Sequence, residues 1–311
     1  MAASAHDPRH PDLPDVDRLA TGLSGGSGST VGPDGALYVT EPLVGEISRV
    51  DRRTGAVTPF VTGLPVQVPG TPGGVMDVAF LDGTAYALVT LVGPDVGGTG
   101  VVGLYRVDGP ATATPVADIG AYSIANPPST ASFVPSGVQY ALETYRGAFL
   151  VTDGHHNRVL RVTPTGTTTQ VAVLDNTVPT GLETSGRQVW FAEAGPVPHD
   201  PGTGQVLRLD VRTGASAVVA VGGRLLVDVE LGGDRLYALA QGVFTPGNPE
   251  GSPADPGTGQ LLRTTRDGGF RVVAEGLDRP TSVEVVRGTA YVVTLTGEVW
   301  TVDLDGRHGH R

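Results

Sequence analysis

Ala36-Leu37-Tyr38-Val39-Thr40-Glu41 is a phrase that this chain uses again and again. It returns as Ala85-Tyr86-Ala87-Leu88-Val89-Thr90, Ala148-Phe149-Leu150-Val151-Thr152-Asp153 and Val189-Trp190-Phe191-Ala192-Glu193. Two more copies follow, Leu236-Tyr237-Ala238-Leu239-Ala240-Gln241 and Ala290-Tyr291-Val292-Val293-Thr294. The anchors Tyr38, Tyr86, Phe149, Trp190, Tyr237 and Tyr291 lie 48, 63, 41, 47 and 54 residues apart. A unit of about 40 to 50 residues holds about four short strands, the size of one propeller blade. The repeat therefore predicts an all-β fold, a six-bladed β-propeller of four-stranded antiparallel blades.

Working outward from the phrase, each unit reads as strands A to D, with the phrase as strand B. Strand C alternates apolar and polar residues, as in Glu46-Ile47-Ser48-Arg49-Val50 and Gln205-Val206-Leu207-Arg208-Leu209. Five C strands carry an arginine near the end: Arg49, Arg106, Arg161, Arg208 and Arg263. Gly32-Pro33-Asp34-Gly35 and Arg212-Thr213-Gly214 supply turns. No stretch sustains a 3.6-residue period, so essentially no helix is expected. The sixth unit stops after strand C near Asp305. The segment 16–24 ends in Thr21-Gly22-Leu23, like the D-strand tags Thr62-Gly63-Leu64 and Glu275-Gly276-Leu277. Residues 16–24 are thus expected to close the last blade as its outer strand. The expected organisation is a leader over 1–15, one propeller over 16–305 and a tail over 306–311.

Composition narrows the chemistry. The chain has 311 residues, a net charge of −11, no cysteine, and only arginine among its 21 basic residues. Without lysine there is no Schiff base and no P-loop. Without cysteine there is no thiol nucleophile, iron–sulfur cluster or cysteine–zinc site. Gly97-Gly98-Thr99-Gly100 has no helix after it to cradle a nucleotide. No nucleotide, haem or iron–sulfur cofactor is expected. An acidic body repels phosphate backbones, so no nucleic-acid partner is expected either. No run is apolar for long enough to span a bilayer. Ala3-Ser4-Ala5 has the form of an export-signal cleavage site, which places the protein outside the cytoplasm or in the periplasm. The competing reading is an unstructured cytoplasmic leader.

Propeller topology puts the ends of B strands and the starts of A strands on one face. That face collects Glu41, Thr90, Asp153, Glu193, Gln241 and Thr294 from the B strands. The A strands add Ser27, Asp77, Ser136, Thr180, Asp228, Thr281 and Ser282. Carboxylates crowded round a channel need compensation, and a hard cation such as Ca²⁺ is one solution, with Glu41, Asp77 and Asp228 as its ligands. Alternatively, each caps a local turn. Asp153-Gly154-His155-His156-Asn157-Arg158 occupies a tight B–C loop on this face, and His199 a longer one. His156 or His155 would act as general base or acid with Asp153 orienting it. Ser136, Thr180, Glu193, His199, Gln241 and Thr281 would contact the ligand. A solvated turn is the bland alternative for the histidines. Long loops over 119–135, 194–203 and 242–258 would cover the mouth.

Several segments resemble a known family. These are Val178-Pro179-Thr180-Gly181-Leu182, Asp228-Val229-Glu230-Leu231, Gly276-Leu277-Asp278-Arg279-Pro280-Thr281-Ser282, Asn126-Pro127-Pro128 through Ser136-Gly137, and Leu19-Ala20-Thr21-Gly22-Leu23. Together they resemble the ScyD/ScyE-type six-bladed propellers of exported bacterial proteins, over nearly the whole chain. Gly32-Pro33-Asp34-Gly35-Ala36-Leu37-Tyr38 is shared with NHL-type, gluconolactonase-type and virginiamycin-lyase-type propellers. The resemblance implies the fold and export, and names no reaction. His155-His156 departs from the small residues usual in that family after the third-blade Asp. Two functions are therefore expected in competition. One is a monomeric enzyme, of lyase or hydrolase type, working on a small organic molecule at the channel mouth. The other is a non-catalytic binding module that recognises a protein or polymer.

Overall fold

The computed structural model describes residues 13, 14, 16–129, 134–198, 200, 202–249 and 251–305. The expected leader, but for residues 13 and 14, and the tail after 305 lie outside these, as does His199. Six four-stranded antiparallel sheets are arranged as the blades. The innermost A strands are Ser29–Val31, Gly74–Leu81, Gln139–Tyr145, Pro179–Ser185, Leu226–Gly232 and Pro280–Val286. Each continues outward through B, C and D. In blade 6 the outermost strand is Val16–Ala20, paired with Val299–Asp303. The N-terminal strand thus closes the ring, as the repeat implies. Two short elements among the described residues depart from the all-β expectation, a 3-10 turn over Pro94–Val96 and a helix. Ile119–Ala125 forms a helix, α1, between blades 2 and 3, capped by Asp118, whose side chain accepts the Ala121 N–H. A seven-residue helix shows fewer than two full turns of periodicity, too few for the pattern to register.

The aromatic anchors are the mortar between blades. Tyr38 meets Phe80 of the next blade edge-on, with ring centroids 4.8 Å apart, and Tyr86 meets Phe149 at the same distance. Aromatic pairs gain from this geometry beyond the apolar area they bury. Phe149 is wholly buried among Leu88, Leu104, Val151 and Leu160.

Five of the six A strands carry a register shift near their start: Val75/Asp77, Gln139/Leu142, Pro179/Leu182, Leu226/Asp228 and Pro280/Ser282. A bulge frees a carbonyl from the ladder. The neighbouring blade's threonines use carbonyls at these places. Thr40 Oγ1 donates to the Met76 carbonyl (3.0 Å), Thr152 to Thr180 (2.6 Å) and Thr180 to Leu226 (2.9 Å). Thr281 donates to Gly26 (3.2 Å) across the closing seam. Thr90 exchanges hydrogen bonds with Gln139, accepting its N–H and donating to Oε1. The result is a hoop of side-chain bonds across five of the six seams, and at the sixth, between blades 5 and 6, the Val283 N–H donates to Asp228 instead.

Phe149→Ala should destabilise the fold by roughly 3–5 kcal/mol. Thr152→Val, which keeps the shape and deletes the hoop bond, should cost roughly 1–3 kcal/mol. Chemical denaturation midpoints measure both, and the aromatic deletion is expected to cost more.

Candidate functional site in the central channel

The polar ring expected at the strand tips is present, and most of its members spend their hydrogen bonds inside the protein; the exception is the Ser136 hydroxyl, buried with no hydrogen-bond partner among the described residues. Thr90, Thr180 and Thr281 belong to the hoop. Glu193 accepts from Thr177 Oγ1 (2.8 Å) and Gln205 Nε2 (2.7 Å). Gln241 Oε1 accepts the Ala254 N–H, which secures a long loop. Ser136 is buried, and its N–H reaches Asp95 at 3.0 Å.

Asp153 and His156 do come together, in a network centred on the buried Arg158. Arg158 Nε donates to Asp153 Oδ2 (3.0 Å), Nη1 to the Asn126 carbonyl (2.7 Å) and Nη2 to Ser123 Oγ (2.8 Å). Nη2 also lies 3.0 Å from His156 Nδ1. A guanidinium can only donate, so Nδ1 accepts, and the His156 proton sits on Nε2, facing the Val134 carbonyl at 3.0 Å. Both ring nitrogens are thereby engaged. The Tyr122 ring covers the guanidinium at 5.5 Å. This geometry clamps α1 and the following loop onto blade 3, and it leaves His156 no nitrogen for a ligand. His155 sits half-buried in the same turn.

The expected cation ligands do not converge. Glu41 is buried and accepts the Ser24 N–H at 2.5 Å. Asp77 accepts from its neighbour Val78 (2.8 Å) and from Leu142 on blade 3 (2.7 Å). Asp228 repeats this with Val229 (2.9 Å) and with Val283 on blade 6 (2.8 Å). All four aspartate oxygens of this pair serve backbone N–H groups. Among the described residues no group of three or more acidic or histidine side chains is placed to hold a metal ion. Glu41, Asp77 and Asp228 thus spend oxygens on backbone N–H groups. Asp77 and Asp228 are staples between blades. Each lies against a glycine of the preceding blade, Gly28 and Gly181, where a Cβ would overlap the carboxyl.

The channel itself holds what remains. All six A strands line it. Its wall includes Asp77, Tyr140, Glu143, Asp228, Glu230 and Glu284, and no arginine or histidine. Its cavity, taken as space open to the centres of water molecules, is about 30 Å³. That is room for roughly two waters. Burial pushes every one of these carboxyls up, because the charged form loses its hydration with no cation to replace it. Asp228 rises to about 7 and Glu143 to about 8. Asp77 and Glu284 are held well above the usual carboxylate range, first by burial and then, for Glu284, by the charge of Glu143. Glu183 and Glu230 also rise, first by burial, and interact with each other. The Tyr140 hydroxyl is pushed up in the same way and stays protonated. Glu143 takes the Thr144 N–H (2.9 Å), Glu183 the Leu231 N–H (3.4 Å) and Glu230 the Val285 N–H (3.2 Å). No described hydrogen bond engages the Glu284 carboxyl. Sequence reading missed Glu143, Glu183, Glu230 and Glu284, which occupy the second half of their A strands rather than the tips. The available signal was a glutamate beside an aliphatic residue inside a strand otherwise buried.

On the long-loop side, the segment Ser24–Gly28 joins this channel to an apolar lip. Ser27 and Gly28 line the channel, while Gly25 lies beside Leu43 and the Leu295 backbone. Leu43 and Leu295 are 60% and 40% exposed, unusually open for leucine.

No protein-family model and no curated protein matches the sequence. Solved structures match in fold. One is XC5397 from Xanthomonas campestris, described as a gluconolactonase: TM-score 0.64, 14% identity, covering 96% of this chain and 93% of that one. Another is virginiamycin B lyase from Staphylococcus aureus: TM-score 0.54, 15% identity, 93% and 98% coverage. A third is the PQQ-bound aldose sugar dehydrogenase of Streptomyces coelicolor: TM-score 0.60, 14% identity, 93% and 98% coverage. At such identities the likeness is one of fold. The chain is a six-bladed propeller with distant neighbours of the gluconolactonase and virginiamycin-lyase kind.

The folded channel keeps protons that an unfolded chain gives up near pH 4. That advantage is whole below about pH 4 and is lost as pH rises through 7 to 8, the range of Asp228 and Glu143. Thermal unfolding midpoints should therefore fall between pH 5 and pH 8.5. Glu284→Gln should raise the midpoint by a few degrees at pH 8.5 and change it little at pH 5. Gly181→Ala should cost roughly 1–3 kcal/mol by displacing Asp228, read by urea denaturation.

Proposed function

We propose that this propeller binds a small organic molecule at the long-loop mouth of the channel and transforms it by acid–base chemistry, of hydrolase or lyase type. The observation that carries this reading is the channel carboxyl Glu143, brought to about 8, whose described hydrogen bonds all fall on Oε1, on the same wall as Glu284, whose carboxyl no described hydrogen bond engages. A group half-protonated near neutral pH can both give and take a proton, which an ordinary carboxylate cannot do at pH 7. The protonated Tyr140 hydroxyl on the same wall donates a hydrogen bond to an oxygen of the ligand. The cavity admits only the reacting group or water. The body of the ligand lies outside it, with apolar parts against Leu43 and Leu295. The neighbours' small-molecule chemistry supports the reading by analogy of fold alone. Membership of the ScyD/ScyE-type family, and export with it, is part of the proposal, carried by the phrases quoted from the sequence.

The test is a turnover assay against a panel that includes gluconolactone and virginiamycin B, followed by product chromatography. Glu143→Gln and Glu284→Gln should each lower any turnover by about 10² or more, with thermal melts confirming the fold. The rate should change with pH between about 7 and 8 in the parent and lose that limb in the variants. Variants that turn over as fast as the parent overturn the reading. Saturable binding without turnover returns the protein to the non-catalytic alternative.

A further inference from the structure

The face opposite the long loops is built differently. Every connection between strands A and B in blades 3 to 6 is a tight hairpin. Each carries an arginine in the turn or at its edge: Arg146, Arg187, Arg235 and Arg287. All four are exposed. Arg187, Arg235 and Arg287 enter no described ion pair or hydrogen bond, and Arg146 meets only the Tyr145 ring, at 5.9 Å. Further out on the same face, Arg208 stands exposed near the lower end of its C strand. The carboxylates of this face are largely occupied. Asp34 is paired with Arg49 at 2.7 Å, and Asp210 accepts the N–H groups of its own turn. Asp234, beside Arg235, is the one acid within these four hairpins.

From these placements we infer that the hairpin face of blades 3 to 6 is a docking surface for a layer of anionic lipid headgroups. Two features favour a lipid layer over other polyanions. The connections on this face are short A–B and C–D turns, and arginines spread over four blades match a broad anionic layer better than a narrow strand. Arginine is also the residue whose planar fork engages phosphate in two bonds at once. The net charge of −11 does not forbid this. The inner strand Pro280–Val286 has seven residues, so it is roughly 23 Å long. That sets the carboxylates at the far tips, Glu41, Asp153 and Glu193, more than two screening lengths from the arginines at physiological salt. Glu143, Glu183, Glu230 and Glu284, which lie nearer the hairpins, are pushed toward their neutral form by burial. A docked propeller would turn its channel mouth away from the lipid, toward solution.

Vesicle flotation tests this with the full chain. The parent should float with vesicles of phosphatidylglycerol and phosphatidylcholine at low salt. It should not float with pure phosphatidylcholine, and 0.5 M NaCl should release it. Arg187→Gln with Arg235→Gln should reduce the floated fraction at least threefold, and all four changed to Gln at least tenfold. Asp228→Asn, on the other side, should leave it unchanged. No flotation of the parent on phosphatidylglycerol at low salt overturns the inference. So does flotation untouched by the fourfold change, or retention by heparin or duplex DNA with no vesicle binding.

Discussion

A propeller stands or falls on what ties one blade to the next, and here that tie is a hydroxyl reaching a carbonyl that a bulge has released. Thr40, Thr152 and Thr180 each donate to the inner strand of the following blade, Thr281 donates to Gly26 across the closing seam, and at the seam between blades 5 and 6 Asp228 accepts the Val283 N–H. The requirement is severe. A buried hydroxyl must find a partner, and so must the freed carbonyl. Each satisfies the other only if both blades sit at the right angle. The hoop thereby fixes blade geometry in a way that packing of Tyr38 on Phe80 or Tyr86 on Phe149 cannot do alone, since apolar contact is not directional.

The same constraint explains why the strand tips are poor places to look for chemistry. Side chains that close the hoop, clamp α1 or hold a loop are already saturated, and a saturated group has nothing to offer a ligand. Arg158 shows how complete this is, with Asp153, Ser123, Asn126 and His156 all drawn onto one guanidinium. Unspent polar capacity collects instead in the channel. There the acids face one another across a narrow void and no cation lines the wall. Holding them together costs stability as pH rises. A fold keeps such an arrangement only where packing elsewhere offsets it, and strain of this kind gathers at functional sites.

How far this was legible in the sequence follows from period and spacing. The aromatic phrase fixed blade number, strand order and the closing strand Val16–Ala20, because those depend on a repeat that survives insertions. The α-helix is invisible there, since Ile119–Ala125 is too short to show a period. The candidate site was half legible. Asp77 and Asp228 were found on the correct strands, but reading them as ligands assumed free oxygens. Only the register of blades 3 and 6 shows that Leu142 and Val283 occupy them. Glu143, Glu183, Glu230 and Glu284 were passed over because a rule that collects strand tips skips strand middles. A one-residue bulge decides which face each residue beyond it presents, and no spacing rule announces a bulge. His155-His156 looked chemical because imidazole is so often catalytic, yet the arginine two residues on had already claimed His156.

The two faces of the ring then divide the work by loop length. The B–C side carries the long connections and α1, and the exposed Leu43 and Leu295 stand on two of its short turns beside the channel mouth. Connections on the A–B side are minimal hairpins, which is what antiparallel neighbours need and no more. Long loops can be shaped for one ligand, because the rigid blades beneath them do not move. Hairpins can only present what sits at their tips, so their chemistry is that of a surface rather than a pocket. An acidic channel with an apolar lip at one end and an arginine rim at the other gives the molecule an electrical direction. Anything that recognises the rim sets which way the mouth faces.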